Sequence, residues 1–425
     1  MQKMCISSSR KSFLYNNYTI KMESQKPLAI IIGRNYTTRL SLIQSIGEAG
    51  CDIVVIQTGR TQKSIEKIDA SSKYVVEARL SREPNSEELL EIVNSYKDSN
   101  RKTLLVPADD YAASVIDKNL NLLQKHFFCP NVHNTQGGIL KLMDKVFQKS
   151  LAHKVGLHVS KYWIANQVNG SYALPTGVIY PCFTKPLESY SHGPLKKYQR
   201  KCETEKELKA LLKSIGEKYQ IPVLIEQYHE ISKEYAVVGL SLGNKSIIPS
   251  VIQMITSKDG LTAAGVIFPI SRISGLQQQL SELMSETQLT GLFDIDLYES
   301  GGELFFNELN VRYGASGFVL NKVIGNLPGI YVNYLLGMDV DTSNQTFLFN
   351  EKSFASEKVL EDMYLNNYIS FKEYRKQLEN ADILSLNAPN DLEPYSVFRK
   401  RERFLGVKRC YLNLKSVAKF ILHKR

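Results

Sequence analysis

A multi-part α/β fold is the class this sequence predicts, with a parallel sheet first, a mixed α+β lid and body after it, and a helical extension last. Three observations predict it. Between residues 27 and 135 apolar strand-like runs alternate with helical stretches. After about residue 136 this rhythm gives way to strands joined by Gly/Ser loops and hairpin turns. From about residue 341 short helices take over and end in a basic tail.

The first strand is "PLAIIIG" (Pro27–Gly33), continuously apolar as in a sheet covered on both faces. "TRLSLIQSIGEAG" reads as a helix and "CDIVVIQTG" as the next strand. "KTLLVPADD" followed by "YAASVIDKNLNLLQKHF" repeats the unit, and such repetition implies parallel strands with helices on both faces. Gly33-Arg34-Asn35 ends the first strand, where these sheets bind ligands, yet the G-x-G-x-x-G dinucleotide fingerprint is missing. Arg34, Asn35, Asp109 and Asp110 are candidates for substrate selectivity, although the two aspartates equally suit a helix N-cap.

"GGILKLMDKVFQKSLAHKVGL" predicts one helix ending at Gly156. "YPCFTKPLESYSHGPLKKYQRKC" predicts a strand, a loop and a return strand. Thr204 with Glu207 is a capping box opening the helix "TEKELKALLKSIGEKY". "IPVLIEQYHE" and "KEYAVVGLSLGN" are strands. The resulting parts are a disordered lead-in (1–26), the parallel α/β unit (27–135), two mixed parts (136–230 and 231–340) and the extension (341–425).

Composition limits the function. With 425 residues, 43% hydrophobic and 23% charged, the chain is an ordinary globular protein. Six scattered cysteines without a C-x-x-C pair predict reduced thiols in a cytoplasm, and neither a disulfide framework nor a zinc site. No apolar run is long enough for a transmembrane helix, and the N-terminus lacks a signal-peptide core. Of the net charge of +10, most belongs to residues 399–425, where ten lysines and arginines face Glu402 alone. No base-stacking aromatic pattern accompanies that charge, which argues against nucleic acid.

The chemistry-bearing stretch is "GLFDIDLYESGGELFFNELNVRYGASG" (Gly291–Gly317). Alternation along a strand places Asp294 and Asp296 on one face, and Glu308 and Asn310 on one face of the return strand. Facing carboxylates repel unless a hard dication neutralises them, and Mg²⁺ takes a few such oxygens together with phosphate oxygens. Arg312, on the same face, is suited to a bidentate grip on phosphate or carboxylate. Alone, the pattern also suits a solvated sheet edge. Lys185 in "CFTKP" is a charge within an apolar strand and calls for an anion. Glu226 ends the apolar strand of "VLIEQYHE", where it could accept an exocyclic amine.

The order of these pieces is more telling than any one of them. M-D-K, F-T-K-P with a Gly/Ser loop, apolar–E-Q-Y, E-Y-A-V, F-D-x-D and N-E-L-N-V-R together resemble the ATP-grasp superfamily from about Pro27 to Leu336, most specifically in "FFNELNVRYGASG". Among its carboxylate–amine ligases the resemblance is to D-aspartate ligases. It implies an ATP-grasp fold with an N-terminal parallel pre-ATP-grasp domain, residues 136–230 as the lid and 231–340 as the catalytic part, and ATP and Mg²⁺ as cofactors. It further implies Lys145 and Lys185 at the ATP phosphates, Glu226 at the adenine amine, Gln227 and Tyr228 at the hinge backbone, and Glu234 at the ribose. Asp294 or Asp296, with Glu308 and Asn310, would hold the metal; Arg312, and Arg272 as a further phosphate clamp, would act in catalysis. The expected reaction is amide formation between a small-molecule carboxylate and an amine through an acylphosphate, on a cell-wall or surface-polysaccharide precursor, by a possible homodimer. The alternative is a nucleotide-binding scaffold of the same fold without turnover.

The tail "VKRCYLNLKSVAKFILHKR" sets Val407, Cys410, Tyr411, Leu414, Val417, Ala418 and Ile421 on one helical face and Lys408, Arg409, Lys415 and Lys419 on another. Such a helix suits either peripheral contact with the inner face of a membrane, or docking on the domain with a solvated basic edge.

Overall fold

The computed structural model describes residues 25–59, 63–81, 86–97, 100–168, 170–187, 198–257, 260–340 and 347–422. The expected lead-in lies almost wholly outside the described residues, as does the loop Glu188–Lys196 with His192.

The first unit is a parallel sheet of β1 (Leu28–Gly33), β2 (Asp52–Thr58), β3 (Val75–Ser81) and β4 (Thr103–Pro107), in the order β3-β2-β1-β4. Its order reverses between β1 and β4, so their carboxyl ends flank the crevice where open α/β sheets receive ligands. Helix α1 (Tyr36–Glu48) leaves from β1 and α2 (Asp110–Lys118) from β4. Asn35 and Asp109 cap them, accepting hydrogen bonds from the N–H groups of Thr37 and Ala112.

A four-stranded antiparallel sheet follows in space: Lys201–Cys202, Cys182–Pro186, Val223–Gln227 and Tyr162–Ala165. Its outer face packs on the amphipathic helix Glu205–Gly216, which buries Leu208, Leu211, Leu212 and Ile215. Thr204 caps that helix as expected, but Glu207 reaches the N–H of Glu203 instead of Thr204, so the box closes one residue earlier.

The largest sheet has ten strands, centred on the antiparallel trio Lys233–Leu242, Leu289–Ser300 and Glu303–Asn310. The last two form the predicted hairpin. Ser300 pairs with Glu303 across Gly301-Gly302, both with positive φ, the backbone that a two-residue turn matching strand twist requires. The apolar side of the first unit shares one core with this sheet, through Ile31, Val55, Val238, Leu240 and Tyr313.

Two elements differ from expectation: the helix expected over "YAASVIDKNLNLLQKHF" breaks at Asn119 into Asp110–Lys118 and Leu120–Leu123. The single helix predicted up to Gly156 is two, Gly138–Leu142 and Lys145–Lys154. Asp144 interrupts it by capping the second, accepting from the N–H groups of Val146 and Phe147. The extension beyond residue 347 supplies the strand Lys352–Ala355, the edge strand Ile383–Leu384 beside it, and the helices Glu357–Leu365, Phe371–Glu379, Glu393–Glu402 and Leu405–Leu422. Among the described residues no helix is long and apolar enough to cross a membrane.

Candidate functional site

Between the four-stranded sheet and the central trio lies a cavity of about 450 Å³. Phe183 and Lys185 form one wall, Gln227, Tyr228 and His229 the hinge, Glu234, Met254 and Thr256 the floor, and Asp294, Asp296 and Arg312 the far end. Asn35 enters it from the first unit, so the crevice at the β1/β4 switch opens into the same space.

Strand geometry explains why lysine and glutamate meet on the near wall. Lys185 and Glu226 sit on adjacent antiparallel strands, and both belong to the inner face of that sheet. Each Glu226 carboxylate oxygen lies 2.6 Å from a lysine Nζ, one of Lys149 and one of Lys185. Lys185 also donates to Asn307 Oδ1 at 2.8 Å. Burial pushes the Glu226 carboxyl up, but the two ammonium groups outweigh it and hold the group at about 2. Lys149 shifts the other way: burial lowers it despite Glu226. Lys145, one helical turn before Lys149, pairs with Glu308 at 2.9 Å.

At the far end the pairing register sets Asp294 opposite Asn310 and Asp296 opposite Glu308. A bulge at Asn307 breaks the ladder immediately beyond and turns that side chain to Lys185. Asn310 donates to Asp296 at 3.1 Å, and Arg312 reaches Asp294 at 3.3 Å and Asp110, from the first unit, at 3.4 Å. Burial raises Asp294 to about 6 against the pull of Arg312, and raises Asp296 well above the carboxylate range with Asp294 and Glu308 adding to it. Burial opposes the Arg312 charge, but Asp110 and Asp294 outweigh it and keep the guanidinium protonated. Gly314 is needed here: a Cβ would stand 2.7 Å from the Asp294 carboxyl.

This end fits a divalent cation. Asp294 Oδ1 is buried without a hydrogen-bond partner among the described residues, and two carboxylates face each other with an amide beside them. Hard oxygen donors in that number suit Mg²⁺, which leaves other positions to water and phosphate. Among the described residues no group of three or more His, Cys, Asp or Glu forms a ready-made metal cage.

Of the residues singled out from sequence, Lys185, Glu226, Gln227, Tyr228, Glu234, Asp294, Asp296 and Arg312 line the one cavity. Lys145, Glu308 and Asn310 are tied to it through the contacts above, although they do not line it. Arg272 is a correction. The strand Thr262–Pro269 starts at the cavity with Thr262 and carries the chain away from it, so Arg272, beyond the far end, is half-exposed, pairs with Glu351 and lies over Phe268. Asp109 and Asp110 divide their duties, one capping α2 and the other pairing with Arg312. The hinge N–H groups of Gln227 and Tyr228 are bonded to the carbonyls of Lys161 and Pro181, so these two donors are already satisfied within the protein. Sequence reading missed Lys149, Asn307 and His229, the last packed on Phe305 at 4.6 Å between ring centres. Lys149 had a signal: it lies four residues after Lys145, on the same helix face.

With this geometry in place, comparison with known proteins is informative. The ATP-grasp domain family matches residues 150–322. The chain has the ATP-grasp fold: an L-amino acid ligase from Bacillus licheniformis aligns at a TM-score of 0.59 with 12% identity, over 77% of this chain and 80% of that one. N5-carboxyaminoimidazole synthetase from Staphylococcus aureus, complexed with ADP, aligns at 0.57 with 14% identity, over 82% and 86%. The biotin carboxylase domain dimer of 2-oxoglutarate carboxylase from Hydrogenobacter thermophilus, with MgADP and bicarbonate, aligns at 0.59 with 15% identity, over 77% and 74%. No curated protein sequence matches the chain.

Proposed function

We propose that this protein is an ATP- and Mg²⁺-dependent ligase that joins a small carboxylic acid to an amine through an acylphosphate. The carrying observation is that Lys185 and the Asp294/Asp296/Arg312 group face one another across a single cavity. Cations on one side suit phosphate oxygens; acids and a guanidinium on the other suit a metal ion and the transferring phosphoryl group.

In this reading the hinge at Glu226–His229 receives the adenine and Glu234 the ribose. Glu226, saturated by lysines, acts chiefly by holding Lys185 in place. Asp296, Glu308 and Asn310, with Oδ1 of Asp294, would hold the metal, while the other Asp294 oxygen orients Arg312. When bound, Mg²⁺ supplies charge neutralisation at the phosphates. A carboxylate is inert to amines because oxide is a poor leaving group. Transfer of the γ-phosphoryl group from ATP to a carboxylate oxygen gives the acylphosphate and ADP; attack by the neutral amine then forms the amide, expels phosphate and releases a proton. Arg312 and the lysines offset charge on the transferring group, and positioning supplies much of the remainder. The four-stranded sheet acts as the lid that excludes water from the acylphosphate.

The finer reading is an amino acid joined to a cell-wall or surface-polysaccharide precursor, on the cytoplasmic side, by an enzyme of D-aspartate ligase type that works as a homodimer and contacts the membrane peripherally. The sequence resemblance, the L-amino acid ligase fold match and the basic tail support it. Incubation with ATP, Mg²⁺ and a panel of amino acids and amines, with phosphate release and product mass measured together, tests it. Phosphate release that requires both an acid and an amine, with a product heavier by their sum less water, is expected. ATP binding without turnover on any pair overturns it.

A further inference from the structure

The C-terminal helix Leu405–Leu422 is docked the opposite way round from a usual surface helix. Its basic side faces the protein: Lys408 donates to Glu361 at 3.2 Å, and Arg409 lies 4.2 Å over the Tyr364 ring and bonds Asn367. Leu405 and Leu412 complete that contact. The opposite side is apolar and open, with Phe404, Val407, Tyr411 and Leu414 exposed at 66%, 71%, 62% and 70%. Their spacing of three, four and three residues makes one continuous stripe, and the sequence extends it through Ala418 and Ile421.

We infer that this stripe is a docking surface for a bilayer rich in anionic phospholipid. Four large apolar side chains in one row are the mark of an interaction site, not of scattered surface residues. Charge selects the occupant. Lys400 and Arg403 are exposed at the stripe's start, and Glu402 is the one acid from 399 to 425. Glu402 is itself engaged by Tyr374 and Arg399. A second copy of this helix would bring the same positive charge against it, whereas anionic headgroups complement it while the acyl boundary takes the apolar row. This gives the membrane contact proposed above a defined face and lipid chemistry, and it stands or falls independently of the ligase reading.

Flotation of the full chain with vesicles tests it, using phosphatidylcholine alone and phosphatidylcholine containing phosphatidylglycerol. The wild type is expected to float with the anionic vesicles, not the neutral ones, and to be released by high salt. Val407→Ser with Leu414→Ser should weaken partitioning about tenfold per side chain, and Lys400→Gln with Arg403→Gln about fivefold per charge. These positions are exposed, so unchanged thermal unfolding checks the fold of each variant. Equal flotation on both vesicles, no flotation, or undiminished flotation of the Ser variant overturns the inference. So does concentration-dependent dimerisation abolished by the same substitutions without vesicle binding, which would assign the stripe to a second copy. Phosphate release measured on the same variants reports on the ligase reading separately.

Discussion

Two clusters of buried charge in this molecule use the same residue types to different ends. In the extension, Glu357 accepts from the Leu386 N–H at 3.1 Å and from the Ser385 hydroxyl, and Glu361 meets Lys408 and Arg401. Lys322 caps carbonyls of Ser385 and Asn387. Its acids meet hydroxyls, backbone donors or cations supplied by neighbouring helices, so the cluster fastens the extension to the body. In the cleft, acids face acids beside open space: Asp296 opposes Glu308, and Asp294 and Asp296 line the cavity. Such an excess of carboxylate beside an open cavity costs folding energy and makes sense only with a ligand. Whether buried charge is structural or functional is therefore decided by whether its surroundings are filled.

The comparison can be broken most forcefully at Glu226. Glu226→Ala leaves Lys149 and Lys185 without their shared carboxylate and should cost roughly 3–5 kcal/mol in denaturant unfolding, with loss of ATP binding. A cost below about 1 kcal/mol would mean that the pair relaxes into water. Asp296→Asn should separate function from fold: turnover falls by about 10²–10³, while melting temperature holds or rises because a repelled carboxylate is gone. Lost turnover accompanied by a lower melting temperature would place Asp296 with the structural acids.

Glu361→Ala is the converse, expected to destabilise by about 1–3 kcal/mol and to expose the C-terminal helix to limited proteolysis without altering ATP affinity. Asp294 contributes a pH signature. Its folded-state carboxyl titrates near 6, above the unfolded range, so the folded state binds this proton more tightly and loses stability as pH rises through that interval. Asp294→Asn should remove that slope, gaining on wild type as pH rises from the unfolded value of 3.8 to about 6; parallel stability curves would refute the assignment. Smallest of all is Arg272→Ala. Its exposed pair with Glu351 predicts a stability change within about 0.5 kcal/mol and unaltered kcat/KM; a tenfold loss would return it to the site.

Much of the architecture was legible in the linear chain because its signals are local. The apolar run of β1, the Gly301-Gly302 turn and the caps at Asp109 and Thr204 each depend on a few neighbouring residues. The break at Asp144 was also local in cause, but helical periodicity on both sides hid it. Arg272 was misread because residue type says nothing about which end of a strand faces the cavity.

Sequence alone determined the parallel opening sheet, the face shared by Asp294 and Asp296, and that of Glu308 and Asn310, since strand alternation requires only the order of residues. Only the tertiary structure decided that Lys149 shares Glu226 with Lys185, that Asp110 crosses from the first unit to Arg312, and that the tail turns its apolar side outward. Those pairings join residues from different elements, some of them hundreds of positions apart in the chain, and they depend on how separate sheets and helices pack, which no local periodicity encodes.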